Sequence, residues 1–203
     1  DNYSNTIMYT DNCSAPTWDV LVDAEEKDVA GITYHAATGS IESGKGVNNA
    51  NRMGLIVSAA SVVFAHGCQF KNSGNGNRTT TGSTLTAFGC DLSGARYLSE
   101  PQAACMDVSR GSTFNCASNT AQNPSNLSGG QFGINCRRSF VSASRANLSG
   151  ASENGIRVGY GGKVEADGSD CSNSGSHSIN ASSGEVWARG SKLDNSGFRG
   201  VLC

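Results

Sequence analysis

Glu165 and Asp167 stand two apart in a Glu-Ala-Asp run, and further along the chain Trp187 and Arg189 stand two apart in a Trp-Ala-Arg run. These four residue types make a coherent chemical set. An exposed indole offers a flat apolar surface to a sugar ring, while carboxylate and guanidinium supply directional hydrogen bonds to hydroxyls. Two carboxylates separated by two strand residues, about 6.6 Å of backbone rise, also fit the carboxyl separations of glycosidases. Glu165 and Asp167 are therefore candidate catalytic residues, and Trp187 and Arg189 candidate carbohydrate-binding residues. The competing structural reading makes Asp167 and Arg189 a surface ion pair and Trp187 part of a subunit contact. Both readings need the two runs on adjacent layers of one face, which requires a repeat with the spacing that separates them.

The repeat is present. The segment from Gly155 to Gly175 aligns without a gap on that from Gly54 to Gly74, with Leu55 over Ile156, Val57 over Val158, Val63 over Val164 and Ala65 over Ala166. Taking the apolar residue two before the small one as an anchor gives Val63, Leu85, Phe114, Val141, Val164 and Val186, at intervals of 22, 29, 27, 23 and 22 along the chain. Ile41 is expected to extend the series upward. Two residues after the anchors come Ala65, Ala87, Cys116, Ala143, Ala166 and Ala188, and seven after them Phe70, Leu92, Ala121, Leu148, Cys171 and Leu193. Four residues after the anchor stand Gly67, Gly89, Gly168 and Gly190, where a turn with positive φ is expected. A second apolar pair precedes most anchors, as in Ile32 with Tyr34, Met106 with Val108 and Ile156 with Val158.

Apolar residues two apart in short runs, separated by Gly, Ser and Asn, read as strands with one buried face. Three such strands per period are too short for a propeller blade and fit one coil of a parallel β-solenoid, stacked at about 4.8 Å on the next. Seven coils make a rod of about 34 Å. The longer intervals place loops at 95–103 and 123–131, each with a Pro that would end a ladder. Asn-Ser-Gly at 72, 173 and 195, with Leu-Ser-Gly variants at 92, 127 and 148, marks the third corner, where stacked Asn or Ser can hydrogen-bond along the rod. Residues between inward anchors point outward, so one ladder reads Glu42, Phe64, Thr86, Asn115, Ser142, Glu165, Trp187 and the next His66, Phe88, Ala117, Ser144, Asp167, Arg189. The four candidate residues thus meet on two adjacent coils. Phe64 and Phe88 higher on that face suit packing against another subunit, and Asp107, on the ladder of Asn135, Arg157 and Asn180, is a candidate second acid.

Composition narrows the alternatives. The net charge is −2 and the 15 Lys and Arg are scattered along the chain, so nucleic acid is not an expected partner. No apolar run reaches membrane-spanning length, and membrane insertion is not expected. Cys116, Cys136, Cys171 and Cys203 fall at inward positions and are expected as buried thiols, suited to a chain folded in a reducing cytoplasm. The acidic group Asp23, Glu25, Glu26 and Asp28 reads as a solvated turn, since it lacks the glycine of a calcium loop. His35, His66 and His177 have no triad or zinc motif around them. No metal and no cofactor is expected.

The stacked pattern of Gly54-Leu-Ile-Val57, Ser83-Thr-Leu-Thr-Ala-Phe-Gly89 and Leu148-Ser-Gly150 resembles the right-handed parallel β-helix of bacteriophage tailspikes and pectate-lyase-like proteins. The resemblance covers residues 29–203, with 1–28 expected as a lead-in without a coil of its own beyond Val20 and Val22. It implies an all-β, right-handed parallel β-helix, a solenoid with coils of about 22 residues. The low charge and the Ala, Gly, Ser and Asn-rich coils look more like a tailspike than a secreted plant-cell-wall enzyme. That likeness implies a homotrimer on the virion tail, folded in the host cytoplasm, that binds a bacterial surface polysaccharide outside the cell and often cleaves it as a glycosidase or lyase. A non-catalytic fibre shaft and a secreted polysaccharide lyase are the alternatives. Gly200-Val-Leu-Cys203 reads as an interrupted strand, so the helix is expected to be truncated there.

Overall fold

A computed structural model describes residues 6–25, 27–96, 103–118 and 123–203. The described residues form strands, turns and bends without a helix, arranged in three parallel faces. The first is a nine-stranded sheet running from Thr6–Asp11 to Arg199–Leu202, and the second a seven-stranded sheet from Thr38–Ile41 to Glu185–Trp187. The third begins with Leu21–Asp23 on Gly46–Asn48 and continues as single bridges through Gly46, Gln69, Asp91, Asn126, Asn147, Asp170 and Lys192. The chain is a parallel β-solenoid of about eight turns with coils of about 23 residues. Eight layer spacings give a rod of about 38 Å.

The anchor series is a physical row. Val63, Leu85, Phe114, Val141, Val164 and Val186 pair in order along the second sheet, all but Val186 fully buried. The row stops short of Ile41: Gly39 pairs with Val63, and Ile41 takes the next inward position opposite Ala65. Tyr34 is the cause. It occupies the place held by Val57 one coil on, and its larger ring fills the space that a side chain at Gly39 would need. Its hydroxyl donates to the Ser40 carbonyl at 3.2 Å, and burial and the neighbouring Cys68 push its ionisation up to about 12. The same shift removes Glu42 from the outward ladder, where Ser40 stands opposite Phe64.

Two further expectations change. Thr6–Asp11 pairs with Ala30–His35, and Leu21–Asp23 with Gly46–Asn48, so the lead-in is itself a coil stacked on the next. Its inward positions carry Met8 opposite Ile32 and the polar Thr10 opposite Tyr34, and the polar residue hides the repeat. In the third row Leu127 follows Leu92, because Leu92 N–H donates to the Asn126 carbonyl and Leu127 N–H to that of Asn147. Ala121 lies outside the described residues. The coil at Gly76–Thr79 lacks an apolar pair altogether. Buried Asn77 sits there instead, accepting from Leu55 N–H at 2.9 Å and donating to the Cys105 carbonyl at 3.0 Å, and the pairing with the next strand slips at a bulge between Ala104 and Met106.

The corners repeat as closely as the strands. Gly67, Gly89, Gly168 and Gly190 have φ between +62° and +69°, as the turn requires. At the third corner the left-handed residue is Asn49, Asn72, Gly94, Gly129, Gly150, Asn173 and Asn195 in turn, so the Asn of one tripeptide corresponds to the Gly of the other. Where Asn follows Asn the amides stack, Asn72 Nδ2 to Asn49 Oδ1 at 3.1 Å and Asn195 Nδ2 to Asn173 Oδ1 at 3.2 Å. At the first corner Ser61, Ser83, Ser112 and Ser139 form a buried column, each hydroxyl accepting a main-chain N–H from the coil before it. Cys68, Cys90, Cys105, Cys116, Cys136 and Cys171 are buried free thiols, whereas Cys13 and Cys203 are exposed. Cys203 keeps the register expected for it, following Val201 and Leu202 opposite Ile179 and Asn180, but it is not buried.

Candidate functional site

Lys163–Glu165 and Glu185–Trp187 are adjacent strands of the second sheet, and Glu165 pairs directly with Trp187. Buried Val164 under half-buried Val186 fixes the register, so the flanking side chains must face outward. Glu165, Asp167, Trp187 and Arg189 meet with Ser144 around a shallow cleft of about 280 Å3. All four candidates are brought together. Trp187 is 41% exposed, and the Lys163 ammonium lies 5.9 Å from its ring centroid while pairing with Glu185 at 3.0 Å.

Asp167 does not continue the strand of Glu165. It lies in the turn before Gly168, and its Oδ1 accepts the main-chain N–H of Arg189 at 2.7 Å. The link between Asp167 and Arg189 is thus a turn hydrogen bond from one coil to the next, which leaves the Arg189 side chain facing solvent. Glu165 is exposed on its strand. The cleft can stack a ring on Trp187 and bond hydroxyls through Glu165 and Arg189, while one oxygen of Asp167 is committed to the fold.

Other chemistry-bearing residues are distributed. His66 meets Phe88 edge-on at 5.2 Å beside Phe64, which is 51% exposed. His35 pairs with Asp11 at 2.9 Å, and His177 Nδ1 lies 2.8 Å from the Ser176 hydroxyl. Asp28 pairs with Arg52, Glu25 with Lys27, and Asp23 accepts from Asn49, while Glu26 lies outside the described residues. Among the described residues no three His, Cys, Asp or Glu side chains converge as metal ligands.

A larger cleft, of about 490 Å3, opens where the first sheet turns toward the second. Asp107 lies at its base, only 4% exposed, with both oxygens occupied. Oδ1 accepts from Asn135 Nδ2 at 3.0 Å and from Arg137 Nη2 at 3.0 Å, and Oδ2 accepts from Arg78 Nε at 3.1 Å. A carboxylate so enclosed holds its neighbours in place and is not the accessible second acid expected of it. Arg110, Arg138 and Tyr160 stand above it at equivalent turn positions of three successive coils, and the Arg138 guanidinium lies 5.7 Å over the Tyr160 ring.

The sequence hid this grouping, because Arg78 and Arg138 are far apart along the chain with two insertions between them, and the basic residues looked scattered. A signal did exist at the adjacent corner, where Asp91-Leu-Ser93, Asn126-Leu-Ser128, Asn147-Leu-Ser149 and Asp170-Cys-Ser172 repeat one turn in which the Ser hydroxyl donates to the acidic or amide oxygen at 2.6 to 2.8 Å. Aligning on that motif restores the register across both insertions. Comparisons of the chain with protein-family models, with curated proteins and with solved structures find no match.

Proposed function

We propose that this chain is part of a tailspike-like viral fibre whose solenoid binds a bacterial surface polysaccharide, capsule or O-antigen. The observation that carries the reading is the exposed Trp187 ring in register with Glu165, flanked by Arg189 and Ser144, on a rigid sheet face. Sugar rings stack on such indoles, and the surrounding groups supply hydrogen bonds that orient them. Glu165 is the carboxylate free to act as acid or base if the glycan is also cleaved. A homotrimer on the virion tail fits the exposed Phe64 with Phe88 and His66 on the same face, since outward apolar side chains pack against a partner. Folding in the host cytoplasm fits the six buried free thiols.

The test is to titrate the protein with purified capsule or O-antigen and to follow release of reducing ends or an unsaturated uronate. Binding that falls on Trp187→Ala supports the reading, and product release lost in Glu165→Gln extends it to a depolymerase. Absence of binding to any bacterial polysaccharide, with sedimentation as a trimer, would instead favour a non-catalytic shaft held together through the Phe64 face.

A further inference from the structure

We infer that the arginine cleft around Asp107 is a separate anion-recognition site, which takes a singly charged oxoanion carried on a sugar ring. The inference rests on the polysaccharide reading above and names the chemical class of the glycan as acidic. Three observations carry it.

The first is charge. Arg78, Arg110, Arg137 and Arg138 line the cleft with Asp107 as the one carboxylate among its walls, so positive charge is in excess. Asp107 is already engaged by Arg78 and Arg137. Among the described residues no hydrogen bond or ion pair holds the guanidiniums of Arg110 and Arg138. Two fixed arginines at the base and two unneutralised ones above leave a positive field that an incoming anion would fill. Guanidinium forks match the two oxygens of a carboxylate, a sulfate ester or a phosphodiester.

The second is backbone. Arg110 and Arg138 have φ of +58° and +51°, and Tyr160 of +54°. Large side chains adopt this conformation less readily than glycine or asparagine. The same corner in earlier coils carries Asn12, Ala36, Ala59 and Thr81, so the fold itself asks only for something small. Arginine and tyrosine in three consecutive coils therefore serve the surface of the corner and not its turn.

The third is the lining. Tyr160 is 67% exposed and presents its ring beside Arg138, which offers a stacking surface next to the cationic one. Thr80 and Ser109, 3.1 Å apart, add hydroxyls to the wall. A flat ring beside guanidiniums and hydroxyls suits a sugar that bears its charge on one edge.

The test uses the intact chain and matched oligosaccharides that differ only in whether one sugar is glucuronate or glucose, with a sulfated counterpart and inorganic sulfate as further probes. Calorimetry should give at least about tenfold tighter binding of a charged form over the neutral one at low salt, the effect of one charge-assisted contact. Comparing the carboxylated with the sulfated chain identifies which oxoanion is preferred. Arg110→Ala combined with Arg138→Ala should bring charged and neutral forms to equal affinity. That variant is expected to fold, since alanine already occupies this corner at Ala36 and Ala59. Trp187→Ala should weaken both forms alike. Equal affinities in the wild type, or a preference that survives the double substitution, would overturn the inference. If no oligosaccharide binds at all, the polysaccharide reading fails and inorganic sulfate decides the site alone. A Tm raised by sulfate in the wild type and not in the double variant supports it, and no shift in either rejects it.

Discussion

The ring of Tyr34 lies over the α-carbon of Gly39, and the two residues together replace a pair of ordinary aliphatic side chains. In the following coil the same two positions are Val57 and Val63. One large residue and one absent side chain fill the volume of two medium ones. The packing constraint belongs to the pair.

Gly39→Val should therefore destabilise the rod strongly, by about 3 kcal/mol or more, because the added side chain meets a ring that is enclosed on all sides. Tyr34→Val alone should cost about 2 to 4 kcal/mol through the cavity it leaves. The double substitution recreates the arrangement of the next coil and should recover a large part of both losses. Chemical denaturation of the four proteins, read as a double-mutant cycle, checks this, and additive losses would show that the two positions are independent.

Thiol chemistry should divide the cysteines into two classes. Burial pushes Cys105 and Cys136 up to about 11 and Cys171 to about 12, and it raises Cys116 as well. Cys68 is raised too, first by its hydrogen bond with Cys90 and then by burial. In these five little thiolate forms at pH 8, whereas Cys90 is lowered, chiefly by its hydrogen bond with Cys68, and is protected because its sulfur, like the others, is out of reach of reagent. A disulfide reagent should titrate Cys13 and Cys203 rapidly in the native protein and the other six only after unfolding. Fast reaction of a third thiol would mean that a coil opens in the native state.

Asp170 predicts an acid limit to stability. Burial is the largest influence on its carboxyl and opposes ionisation, but the hydrogen bonds from the Ser172 hydroxyl and N–H, with Lys192 nearby, together outweigh it and hold the group below its ordinary value of 3.8. A depressed folded-state value means that the stabilisation is fully present above the unfolded value and is lost as pH falls through the folded one. Thermal melts should therefore show a stability loss below about pH 4 that is reduced in Asp170→Asn. An identical pH profile in the variant would exclude Asp170 as a contributor.

Asp107 should matter more for stability than any exposed carboxylate. Its replacement by Ala leaves Arg78 and Arg137, each about a third exposed, without their counter-charge, and the loss should be about 2 to 3 kcal/mol after allowing for solvent screening. Equilibrium unfolding measures it. Glu165→Ala, at an exposed outward position of its strand, should stay within about 0.5 kcal/mol of wild type. A similar loss in both would contradict the distinction between a buried charge cluster and a surface acid.

How legible these features were depended on how local their causes are. The anchor row, the left-handed glycines four residues after it and the meeting of Glu165 with Trp187 all follow from fixed offsets within one coil, and all are present. Ile41 was misplaced because its register depends on Tyr34, a residue of another strand whose size no period records. The first coil lies outside the apolar pattern because the polar Thr10 stands where the next two coils have Tyr34 and Val57. Arg110 and Arg138 read as isolated surface charges until the insertions were removed from the count. Periodicity reports what each coil shares, whereas the arginine cleft is built from what three coils do not share with the rest.

The serine column has a consequence for how such a rod can change length. Each of Ser61, Ser83, Ser112 and Ser139 receives an N–H from the layer before it, so the layers of Ser61, Ser83 and Ser112 each give one bond forward and take one from behind. The groups left unmatched at the ends of such a column are the same for a short stack as for a long one. Duplicating or deleting one whole coil within the column alters the reach of the rod while leaving the layers on either side of the column chemically as they were. Reach and terminus are then separately variable quantities. In a fibre of the kind proposed above, a lineage could tune the distance between a virion and its host surface in steps of one layer without redesigning either end.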